Sequence, residues 1–408
     1  MSATSFPKER IKVLLLENVH SSAEALFAAE GFHLETRPGA LQPGELVGAL
    51  RDVHVLGVRS RTKVPAEALA DAKRLLCLGC FCIGTDQVDV AAANRAGVPV
   101  FNAPFSNTRS VAELVTAEVV ALSRQLGDRS RELHAGTWRK VSTQCHEVRG
   151  KTLGIIGYGH IGSQVGVLAE ALGMRVLYFD VASKLPMGNN RPVAALGELL
   201  EASDFVTLHV PDTAQTRRMV GAVELAKMRA GAYLLNASRG SVVDVPALAE
   251  ALREGRLAGA AADVFPSEPG AGTEEFHSEL QGLPNVLLTP HIGGSTEEAQ
   301  EAIGREVATA LLKFVNAGAT TGAVNFPHVE VPPTPGSHRI LNVHRNVPGV
   351  LGAVNRIVSG LGANIRSQVL STDATVGYLV MDLEQDVSSE VKKAIAELPT
   401  SIRTRILY

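Results

Sequence analysis

With 408 residues the chain is long enough for two or three domains, and with 45% hydrophobic and 20% charged residues it is globular and able to bury sizeable cores. A formal net charge of −3, from 39 Lys and Arg against 42 Asp and Glu, excludes a general electrostatic pull on nucleic acid or anionic membranes. No apolar run is long enough to span a bilayer. The N-terminal stretch MSATSFPKERIKVLLLENV reads as the approach to a first strand, not as a secretory signal, so the expected compartment is the cytoplasm.

From residue 11 to 107 short apolar strands alternate with helices. IKVLLLEN, VHVLGVRS, LLCLGCF and VPVFNA read as strands, and SSAEALFAAEG and PAEALADA as helices, a parallel α/β pattern. The second strand runs into Arg59-Ser60-Arg61. Alternate residues of an extended segment share a face, so the two arginines can converge on an anion such as a phosphate; an exposed basic loop fits the spacing equally well. Asn107, in APFSNTRS, is a further polar candidate. Cys77, Cys80 and Cys82 lie in the apolar, strand-like LLCLGCFCIG with no second ligand cluster at zinc spacing. They and Cys145 are expected as free thiols, and no metal is expected.

A long helical segment is expected from Ser110 to about His134, carrying the chain into a second α/β block over residues 151–293. This block opens with the strand Leu153 to Ile156 and the turn Gly157-Tyr158-Gly159-His160-Ile161-Gly162, followed by a helix and a second strand ending at Asp180, eighteen residues past Gly162. Gly157 permits the tight turn, Gly159 lets the backbone touch a pyrophosphate, and Gly162 lets helix and strand pack closely. The helix N-terminus offers N–H groups to the phosphates. Asp180 would accept from a ribose hydroxyl and repel a 2′-phosphate, so NAD is the expected cofactor.

Further strands, FVTLHV, AYLLNAS, GAAADVF and NVLLTPH, place three candidates just past strand ends, where open α/β sheets bind ligands. His291 has the acid–base chemistry for proton exchange near neutral pH. Glu268, in DVFPSEPG, can orient an imidazole and stabilise its charged form. Arg239, in LLNASRGSVVD, has the planar fork that grips a carboxylate. Taken singly they also suit a helix cap, a solvated loop acid and a surface ion pair. Together they supply what hydride exchange at a hydroxy acid needs.

A helix from about Thr296 returns the chain toward its first domain, and the proline-rich PHVEVPPTPG reads as a linker. The tail reads as strand RILNVHR, a helix from Pro348-Gly349 through Leu361, strands NIRSQVLS and VGYLVMDLE, helix EVKKAIAELP and strand IRTRILY. That βαββαβ order is ferredoxin-like.

The motifs GYGHIG with Asp180, NASRG, DVFPSEP and LLTPHIGGSTEEAQE resemble those of the D-isomer-specific 2-hydroxyacid dehydrogenases. GVRSRT, GCFCIGTDQVD, FNAPFSNTRSVAEL and the tail resemble the bacterial branch acting on 3-phospho-D-glycerate. The resemblance implies a Rossmann-type nucleotide domain (108–293) inserted in a flavodoxin-like split substrate domain (1–107 and 294–327), a linker (328–337) and a ferredoxin-like ACT domain (338–408). It implies NAD-dependent oxidation of 3-phospho-D-glycerate to 3-phosphohydroxypyruvate, the entry to L-serine synthesis.

By the same resemblance His291 is the acid/base, Glu268 its partner and Arg239 the carboxylate anchor. NAD contacts come from Gly157, Gly159, His160, Ile161, Gly162, Asp180, His209, Ala237, Ser238, Arg239, Asp263, His291, Ile292, Gly293 and Gly294, with Asp263 on the nicotinamide carboxamide. Arg59, Ser60, Arg61 and Asn107 fall at substrate, Lys140 matches a lysine reaching the substrate phosphate of a neighbouring subunit, and His344, Asn346 and Asn364 match ligands of an inhibitory L-serine. A homotetramer is implied. Two alternatives stay open at this point: the same chemistry on another 2-oxo acid such as 2-oxoglutarate, hydroxypyruvate or glyoxylate, and an NADH-sensing interaction protein built on this fold.

Overall fold

The computed structural model describes residues 6–269, 275–384 and 387–408. The chain divides into two compact units, one of Met1–Ser106 with Gln300–Tyr408 and one of Asn107–Ala299.

In the first unit, strands Lys12–Leu16, His33–Arg37, Val55–Val58, Cys77–Cys80 and Val100–Asn102 form a parallel sheet with Lys12–Leu16 between His33–Arg37 and Val55–Val58. In strand numbers this is 2-1-3-4-5, the flavodoxin-like order. The three inner strands are buried along their length, apart from Lys12, because helices cover both faces, which is why they read as continuous apolar runs. Cys77 and Cys80 lie inside and burial pushes the Cys77 thiol up to about 12, so it stays a protonated, unreactive core residue; Cys82 and Cys145 are half-buried and likewise form no disulfide.

The tail of the same unit is a four-stranded antiparallel sheet, with His338–Arg345 between Val376–Leu383 and Ser401–Leu407 and with Ile365–Thr372 at the far edge. Two helices, Val350–Gly360 and Ser388–Ala396, complete the βαββαβ unit. The proline-rich stretch ahead of it is irregular, but it is fastened at both ends. Thr320 bonds to the backbone at Pro327 and Val329. The buried Arg339–Asp382 pair (2.7 Å) holds the Val331 and Pro332 carbonyls through Arg339, and the Thr334 N–H and hydroxyl through Asp382. The linker is therefore an anchored strap.

The tail sheet also shares one core with the first parallel sheet. Leu341, Val343, Val376, Tyr378 and Val380 pack into the cluster that holds Phe101, Val307, Leu311, Phe314 and Phe326. Three tail arginines meet helix ends. Arg403 donates to the carbonyls of Leu75 and Ala96, Arg405 to Val315 and Arg339 to Ala317. The contacts at Ala96, Val315 and Ala317 put a cation where helix carbonyls lack partners, while Leu75 lies in the loop before strand Cys77–Cys80.

The second unit is a seven-stranded parallel sheet in the order Val286–Leu288, Leu257–Ala262, Ala232–Asn236, Phe205–Leu208, Thr152–Ile156, Arg175–Phe179, Arg191–Pro192. This is the Rossmann arrangement with one added strand, and its order reverses between Thr152–Ile156 and Phe205–Leu208. The single long helix expected from Ser110 to His134 is two helices, Thr108–Ser123 and Leu126–His134. Gln125 takes a left-handed conformation (φ 52°) between them, and its side chain accepts from Arg129. The second helix then brings Gly127 so close to Leu287 that a side chain at 127 would collide with it.

Candidate active site

The glycine turn sits at the point where the strand order reverses. A Cβ on Gly157 would run into the carbonyl oxygen of His209, and one on Gly162 into that of Gly157, so both positions demand glycine for backbone approach. A Cβ on Gly159 would meet nothing within 4 Å: this glycine faces open space at the N-terminus of helix His160–Ala171. Asp180 is aimed at the turn. Its carboxylate accepts from the N–H of Tyr158 (2.8 Å) and of Ala182 (2.9 Å). His209 Nε2 lies 3.0 Å from the Thr207 hydroxyl, while Nδ1 is buried without a partner; burial drives its pKa down to about 3, so this ring is neutral. An open backbone cradle, a helix N-terminus, an oriented acid and an orphaned ring nitrogen together fit a dinucleotide. His160 and Ile161 form the first turn of the helix; Ala237 and Ser238 follow strand Ala232–Asn236.

Three loops at the carboxyl ends of neighbouring strands carry the candidate chemistry. Asn236 braces the first: its side chain accepts from Ser238 N–H and hydroxyl and donates to the Arg239 carbonyl. A side chain on Gly240 would overlap the Phe265 backbone, so glycine there lets the Arg239 loop lie directly on the loop leading to Glu268. Glu268 closes its own loop by accepting from Phe265 N–H (3.1 Å). The third loop hangs on Asp263, which is 2% exposed. One oxygen accepts from the Thr289 hydroxyl (2.6 Å) and Ile292 N–H (2.8 Å), the other from Gly293 N–H (2.8 Å). The residue between, His291, is held at φ 55°, a conformation costly for a side-chain-bearing residue and kept by those bonds.

His291 Nδ1 thereby comes 2.8 Å from Glu268 Oε2. A carboxylate only accepts, so Nδ1 carries the proton and Nε2 is left for exchange. The hydrogen bond to Glu268 raises the His291 pKa above 6.5 against the opposing effect of burial, with the charges of Glu268 and Asp263 adding. Burial pushes Glu268 upward, but the bond from His291, the Phe265 N–H and the Arg239 charge together hold it below the usual carboxylate range. Arg239 Nη1 donates to the Ser238 carbonyl (2.8 Å). Asn107 packs on Gly294 within the same unit, with its Oδ1 buried and unpartnered, and Lys140 is exposed.

In the first unit, Arg59, Ser60 and Arg61 lie just past strand Val55–Val58, with Ser60 and Arg61 exposed. In the tail, His344 is buried with Nδ1 2.9 Å from Asn342 Oδ1, and its ring lies over Gly377. Asn346 donates to the Asp373 carbonyl and Asn364 to Glu384. Among the described residues no group of three or more His, Cys, Asp and Glu side chains is placed to hold a metal ion, and no helix is long and apolar enough to cross a membrane.

Motif reading passed over several supporting residues. Asn236 and Gly240 flank Arg239, but nothing in their spacing states that one braces the loop and the other lets two backbones touch. Glu118 is a buried carboxyl on helix Thr108–Ser123, pushed up to about 8 by burial and by the charge of Asp263. In sequence it is one acid on an apolar helix.

Residues 116–293 match the D-isomer specific 2-hydroxyacid dehydrogenase, NAD binding domain family, and residues 340–403 match the AHAS small subunit-like ACT domain family. The chain therefore carries an NAD-binding domain and an ACT domain. Among curated relatives, D-3-phosphoglycerate dehydrogenase of Dictyostelium discoideum is 57% identical over 99% of both chains, and that of Escherichia coli K12 is 50% identical over the whole of both. Among solved structures, a Thermus thermophilus protein matches at 32% identity with a TM-score of 0.71, covering 77% of this chain and 100% of its own. Aquifex aeolicus D-lactate dehydrogenase complexed with NAD and lactic acid matches at 28% identity with a TM-score of 0.69, covering 77% and 99%. The nucleotide cradle, the His291–Glu268 pair and these full-length similarities lead to one family: the chain belongs to the D-3-phosphoglycerate dehydrogenases, within the D-isomer-specific 2-hydroxyacid dehydrogenases.

Proposed function

We propose that the protein oxidises 3-phospho-D-glycerate to 3-phosphohydroxypyruvate with NAD, the first step toward L-serine. The observation that carries this reading is the 2.8 Å contact between His291 and Glu268, on loops of an NAD-binding domain, in a chain 57% identical to a relative of that name. NAD, held at the Gly157–Gly162 turn, would supply the acceptor for the C2 hydride. His291 Nε2 takes the hydroxyl proton, and the resulting imidazolium is stabilised by Glu268. In the reverse direction His291 returns that proton to the carbonyl oxygen. Arg239 anchors the substrate carboxylate. Arg59, Ser60, Arg61 and Asn107 bind the remainder of the substrate, and Lys140 serves the substrate phosphate of a neighbouring subunit in a homotetramer.

In this reading the ACT domain takes L-serine at His344, Asn346 and Asn364 and slows the enzyme. The end of strand His338–Arg345 and the N-terminus of helix Val350–Gly360 adjoin around Asn346, which supports a carboxylate site there. The protein works in the cytoplasm. NADH oxidation with 3-phosphohydroxypyruvate against 2-oxoglutarate, with and without L-serine, tests all of this at once. Preference for the phosphorylated acid and loss of rate with serine are the expected results. Equal or greater activity on 2-oxoglutarate overturns the substrate assignment, and a rate indifferent to serine overturns the effector.

A further inference from the structure

The Arg59–Thr62 turn is held by a buried acid that belongs to a different strand. Strands Lys12–Leu16 and Val55–Val58 are parallel neighbours, with Leu15 opposite Gly57, so the residues that follow them, Glu17 and Arg59, lie side by side. Glu17 is 2% exposed and adopts a left-handed conformation (φ 67°). Its own N–H is tied to the Arg37 carbonyl (3.0 Å), which turns its side chain away from the strand direction. One oxygen of its carboxylate accepts from Arg59 N–H (3.2 Å) and Thr62 N–H (2.8 Å), and the other from Arg61 N–H (2.9 Å). Arg61 Nε stands 3.7 Å from the second oxygen. From the opposite side the buried Gln87 donates to the Arg59 carbonyl (2.6 Å).

A carboxylate withdrawn from water is tolerated where charge-assisted hydrogen bonds replace its hydration. Here the backbone amides of one turn supply that replacement. The turn in exchange loses the freedom to wander, and Ser60 and Arg61 are exposed on a fixed frame. Neither an apolar residue nor an amide could substitute. The first leaves three N–H groups without an acceptor, and the second offers one accepting oxygen and an NH2 that faces a donor.

We propose that Glu17 is a positioning residue for anion recognition: it sets the Arg59–Arg61 turn in the geometry that grips the phosphate of the substrate, without touching substrate itself. This rests on the assignment of that turn to substrate binding. It makes Glu17 a determinant of affinity for phosphorylated over unphosphorylated acids, because a misplaced arginine fork loses its directed bonds to phosphate while the carboxylate and carbonyl ends of the substrate are handled elsewhere.

Steady-state reduction of 3-phosphohydroxypyruvate and of unphosphorylated hydroxypyruvate by the full chain tests this with Glu17→Gln, Arg61→Ala and the double variant. Glu17→Gln is expected to raise KM for the phosphorylated acid about fivefold or more, with kcat and NADH affinity within about twofold and little change for hydroxypyruvate. The double variant should be no worse than Arg61→Ala, since both act through one turn. If Arg61→Ala raises that KM and Glu17→Gln does not, or if the two effects add, Glu17 has no such role. If Arg61→Ala leaves KM unchanged, the assignment of the turn to substrate fails, and the proposal with it. Should Glu17→Gln not fold, Gln87→Ala loosens the same turn from its carbonyl side and must show the same KM-specific loss.

Discussion

Nδ1 of His291 is 2.8 Å from Oε2 of Glu268, and the two residues come from different loops that meet because Asp263 holds one and Gly240 admits the other. The bond to Glu268 is the largest influence raising the His291 pKa above 6.5. Reduction of the keto acid needs imidazolium, so its rate is lost as pH rises through that raised value, whereas oxidation needs the neutral ring and gains over the same window. Glu268→Gln should move both limbs to lower pH. It should also cut turnover by about 10²–10⁴, because a Gln NH2 facing Nδ1 favours the wrong tautomer. Rate profiles from pH 5 to 9 in both directions check this, and an unmoved limb would sink the pairing.

Asp180 serves two ends at once. Its carboxylate holds Tyr158 N–H at the glycine turn and, in the proposed reading, meets the ribose 2′-position of the cofactor with negative charge. Asp180→Ala should narrow the preference for NAD over NADP by about tenfold or more, and raise KM for NAD as well since the turn loses a bond. The ratio of kcat/KM for the two coenzymes is the measurement. An unchanged ratio places the discrimination in another residue.

Glu118 gives a stability signature. In the folded chain its pKa rises from 4.5 to about 8, so the native state keeps a proton that the unfolded chain releases. Stability therefore falls as pH rises from about 4.5 to about 8 and levels off above. Glu118→Gln has no charge to bury. Its melting temperature relative to the parent should climb through that window, and differential scanning fluorimetry at pH 5, 7 and 9 reads it. A gap that does not change with pH excludes the buried proton.

Much of the candidate site is legible in the sequence because its chemistry is local. Gly157, Gly159 and Gly162 form one turn; Arg239, Glu268 and His291 each lie on a loop that follows a strand, where this class of sheet puts its ligands. The supporting residues are not legible because their partners are remote in the chain. The family resemblance assigns Asp263 to a cofactor contact, but its bracing of residues 289–293, like that of 59–62 by Glu17, is carried by nothing within either neighbourhood. The break at Gln125 is a related case: the apolar pattern continues across it, and the second helix packs Gly127 against the remote Leu287. Composition reports that the proline-rich linker lacks regular structure but not the buried Arg339 that binds it down.

That arginine is open to test. Arg339 is 5% exposed at the side chain and Asp382 1%, and Arg339 also serves the carbonyls of Ala317, Val331 and Pro332. Arg339→Met should cost about 3–5 kcal/mol, because it strands a buried carboxylate as well as three carbonyls. The double change Arg339→Met with Asp382→Leu should recover part of that loss. Urea unfolding followed by far-ultraviolet circular dichroism measures both. A single variant as stable as the parent means the pair holds nothing together.

The arginines of strand Ser401–Leu407 bear on the order in which the molecule is made. Arg403 and Arg405 close helices at the carbonyls of residues 96 and 315, Arg403 also holds the Leu75 carbonyl in a loop, and Tyr378 fills the same core as Phe101. Residues 107–299 form an uninterrupted unit and can fold while synthesis continues. The sheet that leaves the ribosome first must wait for a strand made some three hundred residues later. Until then the part of its core that Leu341, Val343, Val376, Tyr378 and Val380 complete stays open around Phe101.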